Sequence, residues 1–329
     1  MIIARIMGGL GNQLFQYAAG KSLAARLGAE LTLDINWFKT NKGRRFHLNY
    51  FRVESRIATP REIRYFIARP GFVDQLQRWL RFRTALGASH PPDPSGRQRK
   101  TMTTGKGLYY EEPHFHYDKT FQSLSGDIYL DGYWQSEKYF QAIEGVLREQ
   151  FTVRTPPDAK NLEFAERIRS CESVGLHLRR GDYATNPEFN RVHGLCDAQY
   201  YFQAVKHLLS ELQTPEFFVF TDDPGWAKQH LQIPSPFVVV DHNGVLRDYE
   251  DLRLLSLCKH TIMANSTFSW WGAWLNNNRS KHVIAPARWF RAEMDESDLI
   301  PDGWRRLQSP SSPDQYPPHC SDCVSEVGE

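Results

Sequence analysis

Within seven residues, His177-Leu178-Arg179-Arg180-Gly181-Asp182-Tyr183 brings together an imidazole, two guanidinium groups and a carboxylate. A guanidinium can chelate two phosphate oxygens, and an imidazole beside it can bond a phosphate or the edge of a nucleobase. The apolar run Val174 to Leu178 reads as a strand, and alternation along it puts His177 and Arg179 on one face and Leu178 on the other. In an open α/β sheet, ligands bind beyond the carboxyl ends of strands, where these residues fall. An Arg–Asp ion pair closing a loop would use the same residue types.

Three further segments carry polar groups at the ends of apolar runs. Phe220-Thr221-Asp222-Asp223-Pro224 offers an aspartate pair that could hold a divalent cation under a diphosphate. Asp223 before a proline is more economically a helix cap, and no metal ligand is assigned. Asp251, in Asp248-Tyr249-Glu250-Asp251-Leu252, could accept from the ring N–H and exocyclic amine of guanine. Thr261 to Ala264 then opens into Asn265-Ser266-Thr267 and a helix, aiming hydroxyls and backbone N–H groups at an anion. Trp270, Trp271 and Trp274 behind it have the spacing of packing residues. At the N-terminus, Gly8-Gly9-Leu10-Gly11-Asn12-Gln13 follows an apolar run and opens a helix. It suggests a dinucleotide fingerprint with Asp34 as the ribose-binding acid, but Leu14 stands where the third glycine belongs. What remains is a helix start with the amides of Asn12 and Gln13 available to a sugar or phosphate.

The elements that must position these groups alternate. Ile2 to Met7 and Leu31 to Leu33 read as strands around a helix that ends at Gly28. Ile128 to Trp134 reads as another strand, followed by a helix to about Phe151. After Pro156-Pro157 come strands at Val174 to Leu178, Phe217 to Phe220, Phe237 to Val240, Thr261 to Ala264 and Val283 to Ala285. Helices fit between them at Ala198 to Leu212, Pro224 to Leu231, Tyr249 to Leu257 and Phe268 to Leu275. The expectation is α/β: two Rossmann-like domains facing a central cleft, the GT-B layout. The divisions fall at 1–155, with a basic helical insertion at 61–106, then 156–295, then a tail at 296–329.

The 329 residues, with 40 Lys plus Arg against 38 Asp plus Glu, allow about two domains and exclude a disordered or fibrous chain. A formal charge of +2 excludes whole-surface attraction to nucleic acid. The basic stretch Arg61 to Lys100 nonetheless holds nine Lys/Arg against three Asp/Glu. It reads as a solvated insertion, or as a dock for an anionic membrane surface or acidic acceptor. The five cysteines, Cys171, Cys196, Cys258, Cys320 and Cys323, do not form a disulfide framework. Cys320 and Cys323 have metal-like spacing but no second pair, so they read as part of the tail. No run is long enough to cross a bilayer, and the expected location is the cytoplasm.

Seven strings in order, MGGLGNQLFQYAAG, DGYWQSEKYF, HLRRGDY, HGLC (His193 to Cys196), FTDDP, DYEDLRLLSLCKHTIMANSTFSWWGAWL and APARWF, run from residue 7 to 290. Together they resemble the α-1,2-fucosyltransferases of glycosyltransferase family 11, with the basic insertion and the chain beyond about Asp298 outside the likeness. The resemblance implies transfer of L-fucose from GDP-β-L-fucose to the 2-hydroxyl of a terminal galactose, with inversion and without a cofactor or essential metal. It also implies that Arg179 holds the β-phosphate and His177 the nucleotide. Asp251 would read guanine, Ser266 and Thr267 would hold phosphate through their hydroxyls, Asn265 would join them in binding the donor, and Asn12 would reach into the same cleft. For the catalytic base the candidates are Asp182, then His193, then Asp131. Two other readings stand beside it: a non-catalytic GDP-sugar or glycan-binding module using the same residues, and a nicotinamide-dependent oxidoreductase based on the glycine turn and Asp34, which lacks the third glycine and leaves HLRRGDY unexplained.

Overall fold

The structure, a computed structural model, describes residues 1–67, 102–104, 107–181 and 187–308. Two six-stranded sheets organise the chain. In the first, β1 (Ile2–Arg5), β2 (Leu31–Asp34), β3 (Arg56–Ile57), β4 (Met102–Thr104), β5 (Gly107–Glu111) and β6 (Ile128–Asp131) lie in the order β3-β2-β1-β6-β5-β4. Only β4 pairs antiparallel. The central strands β1 and β6 are buried along almost their whole length and end in Arg5 and Asp131, as parallel strands covered by helices on both faces should be buried.

The second sheet is parallel throughout. It comprises β7 (Glu172–Leu178), β8 (Pro215–Thr221), β9 (Phe237–Val240), β10 (His260–Ile262), β11 (Val283–Pro286) and β12 (Arg305–Leu307), in the order β12-β11-β10-β7-β8-β9. Two Rossmann-like α/β halves in one chain give the GT-B layout expected from the alternating pattern.

Helix α1 (Leu10–Leu27) crosses between β1 and β2 and ends at Gly28, whose φ of 58° closes the last turn with N–H bonds to Ala24 and Ala25. The close approach of α1 to its sheet falls on Gly20, where a Cβ would lie 2.9 Å from the Ala4 Cβ. Short helices α2 (Trp37–Thr40) and α3 (Pro60–Phe66) follow, α3 started by a Thr59–Glu62 capping box. Then come α4 (Glu144–Gln150), α5 (Ala159–Ser170), α6 (Pro187–His193), α7 (Ala198–Glu211), α8 (Pro224–His230), α9 (Asp248–Leu257) and α10 (Thr267–Leu275).

One of the hydrophobic cores spans both halves. Phe15 of α1 packs 4.5 Å from Trp270 and 4.9 Å from Trp271 of α10, ring centre to ring centre. Trp271 Nε1 donates to the Gly11 carbonyl at 3.0 Å, and Trp270 Nε1 to that of Leu299 at 2.8 Å. The three tryptophans therefore serve packing, as their spacing suggested. Two features depart from the sequence reading. Helix α5 was not anticipated, because its charged face hides the four buried positions Asn161, Phe164, Ala165 and Ile168. The stretch assigned to a tail begins too early: Leu299 and Ile300 are buried, and β12 pairs with β11. Most of the basic insertion and the Cys320/Cys323 tail lie outside the described residues; among the described residues Cys171, Cys196 and Cys258 are free thiols. None of the described helices is long and apolar enough to cross a membrane.

Candidate active site

Strands β7 and β10 are parallel neighbours with Leu176 opposite Ile262, so the loops that leave their carboxyl ends emerge side by side. The β7 loop is organised by Asp222, at the end of β8. Its Oδ1 accepts from the backbone N–H of Arg180 at 2.9 Å and of Gly181 at 3.1 Å. Its Oδ2 pairs with Arg179 Nη1 at 2.7 Å. A Cβ on Gly181 would collide with this carboxylate, which explains the glycine. Arg180 lies over the Trp226 ring, 3.9 Å from its centre. Asp223 accepts from Trp226 N–H at 3.0 Å and caps α8, so the aspartate pair clamps a loop and starts a helix. No metal-binding cluster occurs among the described residues.

His177, at 5% exposure, stands on β7 with its ring 5.2 Å from that of Phe268. Its Nδ1 is buried and has no hydrogen-bond partner. Burial, with the Arg179 cation beside it, pulls its pKa down to about 3, so the imidazole is neutral. A neutral ring with an unused polar atom can bond a ligand without adding charge.

Across the neighbouring loop, Ser266 caps α10, its Oγ accepting from Phe268 N–H at 3.3 Å. Thr267 Oγ1 donates at 3.0 Å to Asn12 Oδ1, which also accepts from Gln135 Nε2 at 3.1 Å. Asn12 therefore comes from the first half to meet the start of α10. Gly11 permits this approach, since a Cβ there would lie 2.6 Å from the Phe268 nitrogen and closer still to the Thr267 carbonyl carbon.

Asp251 projects from α9 and accepts from Asn243 Nδ2 at 2.7 Å. Burial raises its pKa to about 7; the Asn243 bond opposes the rise, and Asp248 and Glu250 add to it. On the first sheet, Glu112 accepts from the backbone N–H groups of Tyr133 (2.6 Å) and Trp134 (3.0 Å). These hold the turn after β6, in which Trp134 has a φ of 57°. Burial lifts Glu112 to about 8 despite both donors.

The Glycosyl transferase family 11 profile matches residues 1–307. The chain is a family 11 glycosyltransferase. An α-1,2-colitosyltransferase of Escherichia coli is 33% identical over 94% of this chain and 99% of its own length. The O-antigen biosynthesis glycosyltransferase WbnK of Escherichia coli is 30% identical, over 92% and 99% respectively. Galactoside α-(1,2)-fucosyltransferase 2 of Sus scrofa is 23% identical over 60% of this chain and 61% of its own. Among solved structures, the NodZ α-1,6-fucosyltransferase soaked with GDP-fucose aligns with 83% of this chain and 91% of its own, at 17% identity and a TM-score of 0.49. The family match runs on through the basic insertion and to residue 307, further than the quoted strings suggested.

The structure brings His177, Arg179, Ser266, Thr267 and Asn12 to the ends of β7 and β10, with Asp251 on the helix packed against α10. Asn265 needs correction as a donor-binding side chain. It is 3% exposed, and its Nδ2 donates to the carbonyls of His193 (2.9 Å), Trp289 (3.1 Å) and Gly194 (3.2 Å), so its amide braces three loops. Gln13 is likewise structural, bonded to the Arg45 carbonyl at 2.7 Å and His47 N–H at 2.9 Å.

Of the base candidates, Asp182 lies outside the described residues. His193 ends α6, its ring 5.4 Å from that of Phe290. Asp131 is bound by Arg5 at 2.7 Å and by the Tyr109 hydroxyl. Asp34 accepts from Tyr129 at 2.7 Å and Asn36 N–H at 2.9 Å, which leaves little for a ribose and, with the family match, removes the oxidoreductase reading. Asn243, Asn161, Asp222 and Glu112 escaped the sequence reading as supporting groups, since most of their partners lie far away along the chain.

Proposed function

We propose that the protein transfers L-fucose from GDP-β-L-fucose to the 2-hydroxyl of a terminal galactose, with inversion and without a metal. The observation that carries the reading is Arg179, held by Asp222 at the end of β7, beside a neutral His177 and the capped start of α10. Glycosyl transfer builds oxocarbenium character on the sugar while negative charge grows on the departing GDP. In this reading Arg179 and the Thr267 N–H at the start of α10 receive that charge, and a fixed cation does the work of a metal. His177 bonds the nucleotide, Asp251 accepts from guanine, Thr267 and Asn12 close the cleft between the halves, and Asp182 or His193 takes the acceptor proton.

The 33% identical colitosyltransferase favours a second donor, GDP-colitose, whose sugar is fucose without the 3-hydroxyl. Transfer from each donor to a panel of β-galactosides, with EDTA present, separates the readings. Fucosyl transfer that survives chelation supports the first. Exclusive use of GDP-colitose replaces it with the second, and nucleotide binding without transfer to any galactoside would leave only a binding module.

A further inference from the structure

Behind Asp251 lies a chain of buried amides. Asn243, 6% exposed, and Asn161, fully buried, face each other as a reciprocal pair: Asn161 Nδ2 donates to Asn243 Oδ1 at 2.9 Å, and Asn243 Nδ2 to Asn161 Oδ1 at 3.0 Å. Asn243 Nδ2 also donates to Asp251 Oδ1 at 2.7 Å. At the far end, Asp158 Oδ1 accepts from both the backbone N–H of Asn161 at 2.9 Å and its Nδ2 at 3.0 Å. His242 Nε2 lies 3.1 Å from Asn161 Oδ1. The series runs from the residue after Pro156-Pro157, through α5, to a carboxylate on α9.

An amide whose oxygen is already engaged must present its N–H₂ to the next group. Asp158 fixes Asn161 and Asn161 fixes Asn243, so Asn243 offers Asp251 a donor and no acceptor. Such a donor favours the carboxylate over the carboxylic acid. Guanine brings two more donors, N1–H and the 2-amine, and a carboxylate can accept all of them. A protonated Asp251 would set one O–H against those N–H groups.

We propose that Asn243, oriented by Asn161, is a positioning residue that keeps Asp251 ionised and aimed for guanine, and so sets the enzyme's choice of nucleobase. The proposal rests on the guanine-reading role given to Asp251 above. The charged and titratable groups around Asp251 are Asp248 and Glu250 on its own helix, Arg247 and His242 in the preceding loop, and Asp158 at the start of α5. Asp248 and Glu250 repel the carboxylate and Arg247 attracts it. Arg247 is shared with Asp158, at 2.6 Å, and Glu250 with Arg253, at 3.1 Å. With its folded pKa near 7, Asp251 must lose a proton to bind guanine at lower pH. Affinity for GDP therefore reaches its full value about a unit above pH 7 and falls as pH drops through 7.

Calorimetry of the whole protein with GDP and with inosine diphosphate, which lacks the 2-amine, tests the proposal between pH 5.5 and 8.5. The expected wild-type result is a preference for GDP that fades on acidification. In Asn243→Ala the acid limb moves to higher pH, GDP binds about tenfold more weakly at pH 7, and the preference over inosine diphosphate narrows. Asn243→Ser, which keeps a small donor, falls between the two and serves also if the alanine variant does not fold. Wild-type affinity with an unmoved acid limb in both variants overturns the role of Asn243 alone. A wild-type protein indifferent to the 2-amine overturns the guanine reading and this proposal with it.

Discussion

Arg179 is the residue on which the proposed chemistry turns, because Asp222 holds its guanidinium at 2.7 Å at the end of β7, beside the neutral His177. Removing it should lower turnover by on the order of 10²-fold or more, the loss seen when a comparable electrostatic donor is deleted. Steady-state rates of Arg179→Ala, compared with its melting temperature, check this; a variant that keeps most of its turnover excludes Arg179 from the mechanism. The residue scale also shows what the sequence reveals and what it hides. His177, Arg179 and Asp251 could be singled out because their types are costly to bury and fall where strands end or helices begin. Asn265 was misread because Asn-Ser-Thr before a helix suits an anion site and a loop brace equally. Its three carbonyl partners, from residues 193, 194 and 289, meet only in the folded chain. Asn243 and Glu112 gave no local signal, since an amide in a loop and a glutamate after a strand are commonplace.

At the scale of elements, the site depends on how closely two helix starts from different halves can meet. Gly11 sits where the start of α1 faces Thr267 and Phe268 at the start of α10. Gly11→Ala should cost about 1–3 kcal/mol by overpacking and should weaken nucleotide binding, since Asn12 and Thr267 would be pushed apart. Urea denaturation and GDP titration check the two effects; a variant unchanged in both shows that the helices can yield there. The glycine turn was recognised from sequence, but its purpose was not. A dinucleotide fingerprint uses glycines to approach a ligand and its own sheet, whereas here Gly11 admits a helix from the other half and Gly20 admits the sheet. Most strands and helices were legible from apolar runs and periodicity. Helix α5 was not, because its pattern is short and heavily charged, although Asp158 after two prolines is a cap signal that could have found it.

For the whole molecule, the shared core makes the halves interdependent. Trp271 is fully buried, stacks on Phe140 at 5.4 Å and bonds Gly11 across the halves. Trp271→Ala should destabilise the protein by about 3–5 kcal/mol and lower the melting temperature. It should weaken the cooperation between halves, visible as two calorimetric transitions in place of one; a single unshifted transition would show that the tryptophan is not what couples them. Two halves could be read from the alternation of elements. Their joint core could not, since FSWWGAW shows that α10 is apolar all round without showing what covers it.

The central claim concerns the bond that is made, and nuclear magnetic resonance of the isolated product tests it most directly. From GDP-β-L-fucose and a β-galactoside, the account predicts an α-L-fucosyl unit on the 2-hydroxyl of galactose. Fucose on any other hydroxyl, or a β-linked product, would contradict it.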